Sequence, residues 1–437
     1  MSDVRPIAPG AVRWIARTLE EAGYETWAVG GAVRDALLGR PSADWDLATR
    51  ATPKQVQRTF RRTVPIGVEH GTVGVLARDG LMYEVTTFRK DVETDGRHAV
   101  VEFADRIEDD LSRRDFTINA IAWHPLRDEL FDPFGGADDM SAAMLRTVGV
   151  AADRFREDYL RILRALRFAG RFDFEIDEGT WTALISLTDH LSTLSPERVR
   201  EELMKVLSAD PRPSHALSLY RDGGINRVLF PEVDSLAGGL WEHAVRVVDA
   251  LPPGRPMLRL AALLRPAAPA AVAALLVRLR LSNADTDVVA HLAAAPGLPA
   301  RGSGAGDLRR WLSRYGPTVM RGVARLELAS ARVADVEPAP LEVVEAWRGI
   351  RAELRTAPPL AIGDLTVGGR DLMRMGLKPG PVFKDVLSEL LVWVLEDPAR
   401  NEREELLLRA QEVAERLRGG NSSGPSDGAF GPKKSGP

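Results

Sequence analysis

Two aspartates separated by a single residue, Asp44 and Asp46, are the earliest side chains in the sequence whose spacing suggests chemistry. We predict a strand over residues 44–49, and side chains two residues apart on a strand point to the same face of a sheet. Two carboxylates on one face offer hard oxygen donors to a divalent cation. The pattern predicts Asp44 and Asp46 as metal ligands and as catalytic residues.

The glycine pair Gly30 and Gly31, followed by Arg34, comes shortly before these aspartates. A predicted strand over residues 25–29 leads into the pair, and a predicted helix over residues 32–38 follows it. Backbone amides in a glycine turn can approach an anion closely, and a guanidinium adds a positive fork that matches phosphate oxygens. A phosphate cradle beside paired carboxylates indicates metal-assisted chemistry on a nucleoside triphosphate.

The elements that position these residues form a small mixed α/β head with a mostly antiparallel sheet. Its other predicted strands cover residues 64–68, 72–77 and 81–88, and its other helices cover residues 11–22 and 52–60. Glu84 lies in the third of these strands, where it is either a third acidic group of the site or a solvent-facing residue. Residues 90–99 are charged and poor in apolar side chains, which predicts a mobile loop.

Two arginines and an aspartate, Arg113, Arg114 and Asp115, open a run whose apolar positions suit a buried helix. They are either an ordinary ion-pair cluster or groups that meet a triphosphate. Residues 154–170 predict the clearest helix of the chain, with Asp158, Arg161, Arg164 and Arg167 in a slanting charged stripe. Asp158 and Arg161 are either a helix-surface ion pair or an acceptor and a donor that complement the edge of a base.

Composition and charge bound the class of protein. The chain has 437 residues, 45% hydrophobic and 27% charged, with no cysteine and a formal net charge of −4. Disulfides and thiolate sites are excluded, and a nucleic-acid surface has to be a local patch. No segment predicts a signal peptide or a membrane span, so we expect a cytoplasmic protein. Residues 195–418 predict almost continuous helix, and residues 419–437 predict a disordered tail.

Four motifs in order resemble those of the class II tRNA nucleotidyltransferase and poly(A) polymerase family of the DNA polymerase beta superfamily. The first runs from Gly30 to Asp46, the second from Arg113 to Ala120, the third from Glu157 to Arg161, and the fourth starts at Glu197. The resemblance implies a multidomain α+β fold, with a small mixed-sheet nucleotidyltransferase head followed by an all-α neck, body and tail. The implied boundaries are a head over residues 1–145, a neck over 146–210, a body over 211–300 and a tRNA-binding tail over 301–418.

The same resemblance implies template-independent addition and repair of the 3′-terminal CCA of tRNA from CTP and ATP, with two Mg²⁺ ions on Asp44 and Asp46. Asp158 and Arg161 would select the base, and residues 91–98 would form a flexible loop that accompanies the switch from C to A. The remaining implied nucleotide contacts are Gly30, Gly31, Arg34, Arg113, Arg114, Asp115, Arg164 and Arg167. No obligate protein partner and no membrane are expected.

The body resembles an HD phosphohydrolase-like domain that has lost its metal ligands. His243 remains, but the apolar helix ends in Arg265–Pro266 where such domains carry a His-Asp pair. Neither arginine nor proline ligates a metal, so we expect a degenerate scaffold without phosphohydrolase activity. The alternatives that remain are a poly(A) polymerase or A-only enzyme of the same family, and a catalytically silent RNA-binding protein on this scaffold.

Overall fold

The computed structural model describes residues 5–42, 44–94, 99–209, 211–236, 239–334 and 339–420. It is 62% helical with a small mixed sheet near the N-terminus, which confirms the predicted fold class. The chain divides into two compact units, residues 1–286 and 287–437. The finer division into head, neck, body and tail stays a prediction.

Among the described residues up to Ser141, the chain forms nine strands and five α-helices. Its strands are β1 (Thr26–Val29), β2 (Asp46–Thr49), β3 (Thr63–Gly67), β4 (Thr72–Leu76), β5 (Met82–Thr87), β6 (Arg89–Thr94), β7 (Ala99–Phe103), β8 (Ala122–His124) and β9 (Glu129–Phe131). Its helices are α1 (Gly10–Glu21), α2 (Gly31–Leu37), α3 (Pro53–Thr59), α4 (Ile107–Ser112) and α5 (Gly136–Ser141).

Seven of these strands form one sheet in the order β3-β4-β5-β2-β1-β8-β9. Only the β2–β5 pair is parallel, and the other neighbours are antiparallel, as expected. Helix α1 packs against the sheet through four fully buried residues at helical spacing, Val12, Ile15, Ala16 and Leu19. The apolar periodicity of the sequence therefore predicted the core side of α1 correctly.

Three local predictions in the head are wrong. Strand β2 begins at Asp46, so Asp44 lies just before the strand. Residues 89–94 are strand β6, paired with β7, and only residues 95–98 of the predicted loop lie outside the described residues. The buried helix expected after Asp115 is a single 3-10 turn, Thr117–Asn119, followed by β8, although its apolar residues are buried as expected.

The predicted helix over residues 154–170 is also wrong, because it is two helices. Helix α6 (Ala151–Glu157) ends at Asp158, whose extended φ of −158° and ψ of 105° break the helix, and α7 (Leu160–Phe172) starts afresh. A two-stranded parallel ladder, β10 (Met144–Leu145) with β11 (Glu175–Ile176), brackets this pair. Helices α8 (Glu178–Leu187) and α9 (Pro196–Ala209) follow, and Arg167 of α7 faces α9.

The remaining described chain is helical, as predicted. It contains α10 (Pro213–Asp222), α11 (Ile225–Leu229), α12 (Pro231–Asp234), α13 (Gly239–Ala250), α14 (Pro256–Leu264), α15 (Pro269–Arg278), α16 (Asn283–Ala294), α17 (Ala305–Val333), α18 (Pro340–Arg355), α19 (Gly369–Arg374), α20 (Pro381–Glu396) and α21 (Arg403–Gly420). The second unit has its own core around Leu372, Leu390 and Leu406. None of the described helices is long and apolar enough to cross a membrane. The predicted disordered tail lies, apart from the end of α21, outside the described residues.

Candidate active site

A cavity of about 490 Å³ lies where the head sheet meets α7 and α9. It collects eight of the residues predicted from sequence: Asp46, Glu84, Arg113, Arg114, Asp115, Asp158, Arg161 and Arg164. Residues from the head and from the neck, more than 100 positions apart, therefore share one site. Gly30, Gly31, Arg34, Asp44 and Arg167 do not line this cavity.

The acidic side of the cavity is built by register. Leu47 of β2 pairs with Val85 of β5, so the preceding residues, Asp46 and Glu84, are neighbours on adjacent parallel strands. Burial, followed by the charges of Asp44 and Glu84, raises the pKa of Asp46 to about 6. Mutual repulsion of this kind is what a bound cation relieves.

The donor set suits a magnesium site that the substrate completes. Within the described residues, no three acidic or histidine side chains are gathered closely enough to hold a metal ion by themselves. Asp44 and Asp46 supply hard oxygen donors, and Mg²⁺ is usually bound through one or two carboxylates, with water and substrate phosphates filling its other positions. The negative charge of Glu84 contributes to the raised pKa of Asp46.

Gly30 has a conformation that requires glycine. Its φ is +75°, and a Cβ atom there would lie 3.0 Å from Nη1 of Arg114. A side chain at this position would be strained and would also displace the arginine. The glycine therefore lets the Arg114 guanidinium approach the backbone at the start of α2.

Arg113 and Arg114 share one buried carboxylate, Asp110. Nη2 of Arg113 donates to Asp110 Oδ1 at 2.8 Å, and Nη2 of Arg114 donates to Oδ2 at 3.2 Å. Burial by itself would raise the pKa of Asp110, but the charges of Arg114 and Arg113 outweigh it and hold the pKa below its usual range. The anchored carboxylate fixes both guanidinium groups at the cavity wall.

A buried polar chain joins the glycine motif to α7. Arg34 donates through Nε to Asp35 Oδ1 at 2.8 Å and through Nη1 to Asn119 Oδ1 at 2.6 Å. Asn119 donates to Asp115 Oδ1 at 2.9 Å, and Arg164 donates to Asp115 Oδ2 at 2.7 Å. The Arg34 guanidinium thus donates to partners inside the protein, Asp35 and Asn119. It does not line the cavity, where a contact with phosphate was expected.

Asp115 is likewise committed to internal partners. Burial would raise the pKa of its carboxyl, but the charge and hydrogen bond of Arg164 and the amide of Asn119 hold that pKa below its usual range. The Asp115 carboxylate in turn raises the pKa of Arg164 against the effect of burial. Asp115 therefore positions Arg164 at the cavity.

Asp158 and Arg161 do not pair with each other. Asp158 Oδ1 accepts the amide of Leu160, the first residue of α7, at 3.0 Å, and Oδ2 accepts Nη2 of Arg198 at 2.7 Å. Arg161 donates to Glu157 Oε2 at 2.6 Å and to the Arg113 carbonyl at 3.3 Å. The surface ion pair that the sequence allowed is therefore absent, and both side chains line the cavity.

Arg167 stabilises the packing of α7 against α9. Its Nε donates to Glu202 Oε2 at 2.6 Å, and Glu202 is only 1% exposed. The sequence prediction that Arg167 contacts nucleotide is therefore not supported by its position. A buried pair of this kind is costly to break on one side.

Arg198 and Asn119 are among the cavity residues that the sequence prediction did not assign to the site. Arg198 of α9 and Asn119 both line the cavity, and both lie inside motifs that were recognised. Arg198 donates to Asp158, 40 residues earlier in the sequence, and Asn119 donates to Asp115, 4 residues earlier. The signal for Arg198 was its place in the fourth motif, although spacing along the sequence could not give its partner.

In the region predicted to be a degenerate HD-like domain, the described residues contain no group of three acidic or histidine side chains that could hold a metal ion. Burial, followed by the charges of Arg246 and Arg265, lowers the pKa of His243. Two nearby arginines repel a cation, which is the opposite of what a metal centre needs. The loss of metal binding in this region stays a prediction.

Comparisons with known proteins show which family shares this sequence and fold. A model described as the poly A polymerase head domain matches residues 26–146, and one described as a probable RNA and SrmB-binding site of polymerase A matches residues 173–236. The CCA-adding enzyme of Geobacillus kaustophilus is 35% identical over 402 residues, covering 90% of this chain and 94% of that protein. The CCA-adding enzyme of Lactobacillus delbrueckii is 34% identical over 389 residues, covering 88% and 92%.

A solved structure extends this similarity to the fold. The crystal structure of the Bacillus stearothermophilus CCA-adding enzyme in complex with CTP has a TM-score of 0.76 and 31% identity, covering 95% of this chain and all of that one. The resemblance seen in the four motifs is confirmed over most of the chain. The chain belongs to the family of CCA-adding enzymes, which are tRNA nucleotidyltransferases.

Proposed function

We propose that this protein adds and repairs the 3′-terminal CCA of tRNA with CTP and ATP and without a nucleic-acid template. The observation that carries the proposal is the shared cavity, in which Asp158 and Arg161 line the same space as the Asp46 carboxylate. A single bound nucleotide could then contact Asp158 and Arg161 with its base and the metal site at Asp46 with its phosphates. A tRNA substrate also favours the cytoplasm as the site of action.

The reaction we propose is a nucleotidyl transfer. The 3′-oxygen of the primer forms a bond to the α-phosphorus, the bond from that phosphorus to the pyrophosphate oxygen breaks, and the hydroxyl proton passes to solvent. Asp44 and Asp46 would hold two Mg²⁺ ions, which when bound supply charge neutralisation on the triphosphate and a more acidic primer hydroxyl. Arg113, Arg114 and Arg164 would stabilise the negative charge on the phosphates.

Asp158 and Arg161 complement the edge of a base. The Asp158 carboxylate can accept a hydrogen bond from the exocyclic amino group of cytosine or adenine, and the Arg161 guanidinium can donate to a ring acceptor. Both side chains have protein partners that hold them in place, Arg198 for Asp158 and Glu157 for Arg161. Selection by fixed groups needs no reorganisation when the nucleotide binds.

The test uses three tRNA substrates, which end before CCA, after C and after CC. Each is incubated with CTP, ATP or both, and the products are resolved at single-nucleotide resolution. Complete CCA addition supports the proposal, whereas extension only of the CC-ended tRNA would indicate an A-only enzyme. A long A tail would indicate a poly(A) polymerase, and no extension would indicate a silent RNA-binding protein.

An Asp44→Ala variant is the control for chemistry in this assay. Asp44 is exposed and lies before β2, so its removal should leave the fold intact. We expect the variant to lose nucleotide addition. Retained turnover would remove Asp44 from the metal site.

A further inference from the structure

Trp45 lies between the two aspartates proposed to bind Mg²⁺, and it is buried. Its side chain is 3% exposed, whereas Asp44 is exposed and Asp46 lines the cavity. Successive side chains of an extended chain point to opposite faces of a sheet. The indole of Trp45 therefore lies on the back of the sheet, where it can hold this stretch of chain without occupying the cavity.

Strand register brings a second tryptophan to the same face. Ala28 of β1 pairs with Leu47 of β2 and with Trp123 of β8, so these three side chains share one face. Leu47 comes two residues after Trp45, which places Trp45 on that face as well. The ring centroids of Trp45 and Trp123 are 5.9 Å apart, and Trp123 is only 1% exposed.

Trp123 is anchored by polar groups around its ring. Its Nε1 donates to Asp128 Oδ1 at 2.9 Å, and the guanidinium carbon of Arg13 on α1 lies 5.7 Å from its ring centroid. Asp128 Oδ2 also accepts Nη1 of Arg5 at 2.7 Å. Packed aromatic pairs contribute more stability than their buried area alone. Trp45 is therefore held against a partner that is itself fixed.

A hydrogen bond from the Trp45 indole closes the segment that carries Asp44. Nε1 of Trp45 donates to the Ser42 carbonyl at 3.2 Å. The β1–β2 ladder ends at the pair of Val29 and Asp46, so among the described residues Asp44 has no partner in the sheet. Asp44 lies instead inside the segment that this hydrogen bond closes, residues 42–45.

The relative position of the two carboxylates depends on this closed segment. After burial, the charge of Asp44 is the largest contribution that raises the pKa of Asp46, so the two carboxylates lie near each other. The ladder holds Asp46, but only the segment holds Asp44. A binding site is strong when its donors are held at the right spacing before the ligand arrives. A looser segment would therefore weaken metal binding while the sheet behind it stays intact.

We propose that Trp45 is a positioning residue for the metal site, because its indole keeps the Asp44 carboxylate beside that of Asp46. The inference rests on the metal site of the proposed function. Trp45 lies on the back of the sheet, so in this role it contacts neither the nucleotide nor the tRNA. Its replacement should change the affinity for the metal and leave the affinity for tRNA unchanged.

Manganese binding tests this inference without turnover. Mn²⁺ prefers the same oxygen donors as Mg²⁺, and its free concentration is read by electron paramagnetic resonance. The titration contains a CTP analogue whose α,β-bridging oxygen is replaced by a methylene group. In Trp45→Phe, which keeps a ring but lacks the indole donor, we expect the Kd for Mn²⁺ to rise about fivefold, the effect of one hydrogen bond. Trp45→Leu, which also loses the ring contact, should raise it further.

The matched control is Trp27→Phe on β1. Trp27 is 4% exposed, and its Nε1 donates to Glu25 Oε1 at 2.9 Å, so the same substitution removes a comparable hydrogen bond from the same sheet. Trp27 pairs with Ala48, away from the two aspartates. Its Phe variant should bind Mn²⁺ like the unmodified protein. Urea midpoints measure how far each variant is destabilised, and an equal rise of the Mn²⁺ Kd in both would refute a specific role of Trp45.

The kinetics of nucleotide addition provide a second readout. In Trp45→Phe, the Mg²⁺ concentration that gives half of the maximal rate should rise about fivefold, in line with the Mn²⁺ result. The kcat at saturating Mg²⁺ and the KM for tRNA should stay unchanged, because excess metal fills the weakened site. A raised KM for tRNA at saturating Mg²⁺ would contradict the positioning role.

The outcomes separate this inference from the proposed function. Equal Mn²⁺ affinity of Trp45→Phe and the unmodified protein would overturn the inference and leave the metal site standing. If the unmodified protein binds no Mn²⁺, both the metal site and the role of Trp45 are refuted. If it binds Mn²⁺ with the expected loss in Trp45→Phe but adds no nucleotide to tRNA, the proposed function fails and the positioning role stands.

Discussion

The guanidinium of Arg198 on α9 holds the Asp158 carboxylate at 2.7 Å, across 40 residues of sequence. Asp158 sits at the break between α6 and α7, where its second oxygen accepts the Leu160 amide. The acid that we propose reads the base is therefore fixed from two sides, by the first residue of α7 and by Arg198 of α9. This arrangement makes Arg198 a positioning residue for nucleotide choice.

Replacing Arg198 by alanine should weaken the discrimination between CTP and ATP by about tenfold, the equivalent of one charged hydrogen bond. The pair is partly exposed, so the free energy of unfolding should change by less than about 1 kcal/mol. Misincorporation in single-turnover reactions measures the effect. Arg200→Ala on the same helix is the control, because Arg200 donates to carbonyls near Leu279 instead. Equal discrimination in both variants would contradict the positioning role.

Removing either of the two side chains proposed to read the base should have a larger effect on the discrimination between CTP and ATP. Asp158→Ala deletes the acceptor and Arg161→Ala deletes the donor, so each variant should incorporate CTP and ATP indiscriminately at a given primer end. The ratio of kcat/KM for the two nucleotides is the measurement. Unchanged selectivity in both variants would refute the template role of these residues.

The buried chain that starts at Arg34 should be important for stability. Arg34→Ala leaves Asp35 and Asn119 without their main donor inside the protein, and the expected loss is about 3 kcal/mol of unfolding free energy. Urea unfolding measures this loss, taken from the transition of the unit that contains Arg34, residues 1–286. Arg40→Ala is a matched control, because Arg40 also lies over the ring of Phe172 but is exposed. A loss of similar size in both variants would show that ring contact, and not the buried pair, is what matters.

Asp46 should make the metal-free protein less stable as pH rises. Its folded pKa of about 6 exceeds the ordinary aspartate value of about 3.9. Between these values the folded state binds more protons than the unfolded state, so the free energy of unfolding falls as pH rises through this window. The expected change is about 3 kcal/mol.

The Asp46→Asn variant isolates this effect. In EDTA above pH 6 the variant should melt at a higher temperature than the unmodified protein, and Mg²⁺ should raise the Tm of the unmodified protein only. Asp105→Asn, at an exposed aspartate, is the control. If the Tm of the unmodified protein in EDTA does not change between pH 4 and pH 7, the pKa of Asp46 is not raised by burial as expected.

The degenerate HD-like region should have no hydrolytic activity. His243 has two arginines as electrostatic neighbours, Arg246 and Arg265, which disfavour a bound cation. We expect no phosphatase activity on simple phosphoesters or on 2′,3′-cyclic nucleotides with Mg²⁺, Mn²⁺ or Ni²⁺. Metal-dependent hydrolysis that is lost in a His243→Ala variant would overturn the interpretation.

The sequence predicted most of the head because its signals are local. The apolar period of α1 and the glycine and turn residues between strands act over a few residues, and they are visible without partners. The errors fall where long-range contacts decide. Apolar periodicity runs smoothly from α6 into α7, so it could not reveal the break at Asp158, which a backbone hydrogen bond and Arg198 stabilise.

What the sequence by itself determined is the chemical inventory: paired aspartates, a glycine turn, and arginines in ordered motifs that predicted nucleotidyl transfer. What only the tertiary structure decided is how each arginine is used. Arg34 and Arg167 are bound to buried partners 85 and 35 residues away, whereas Arg161, Arg164 and Arg198 reach the cavity. The reason is physical, because the packing of α7 against the head and α9 encloses some guanidinium groups together with their partners and leaves others, such as Arg164, at the cavity wall.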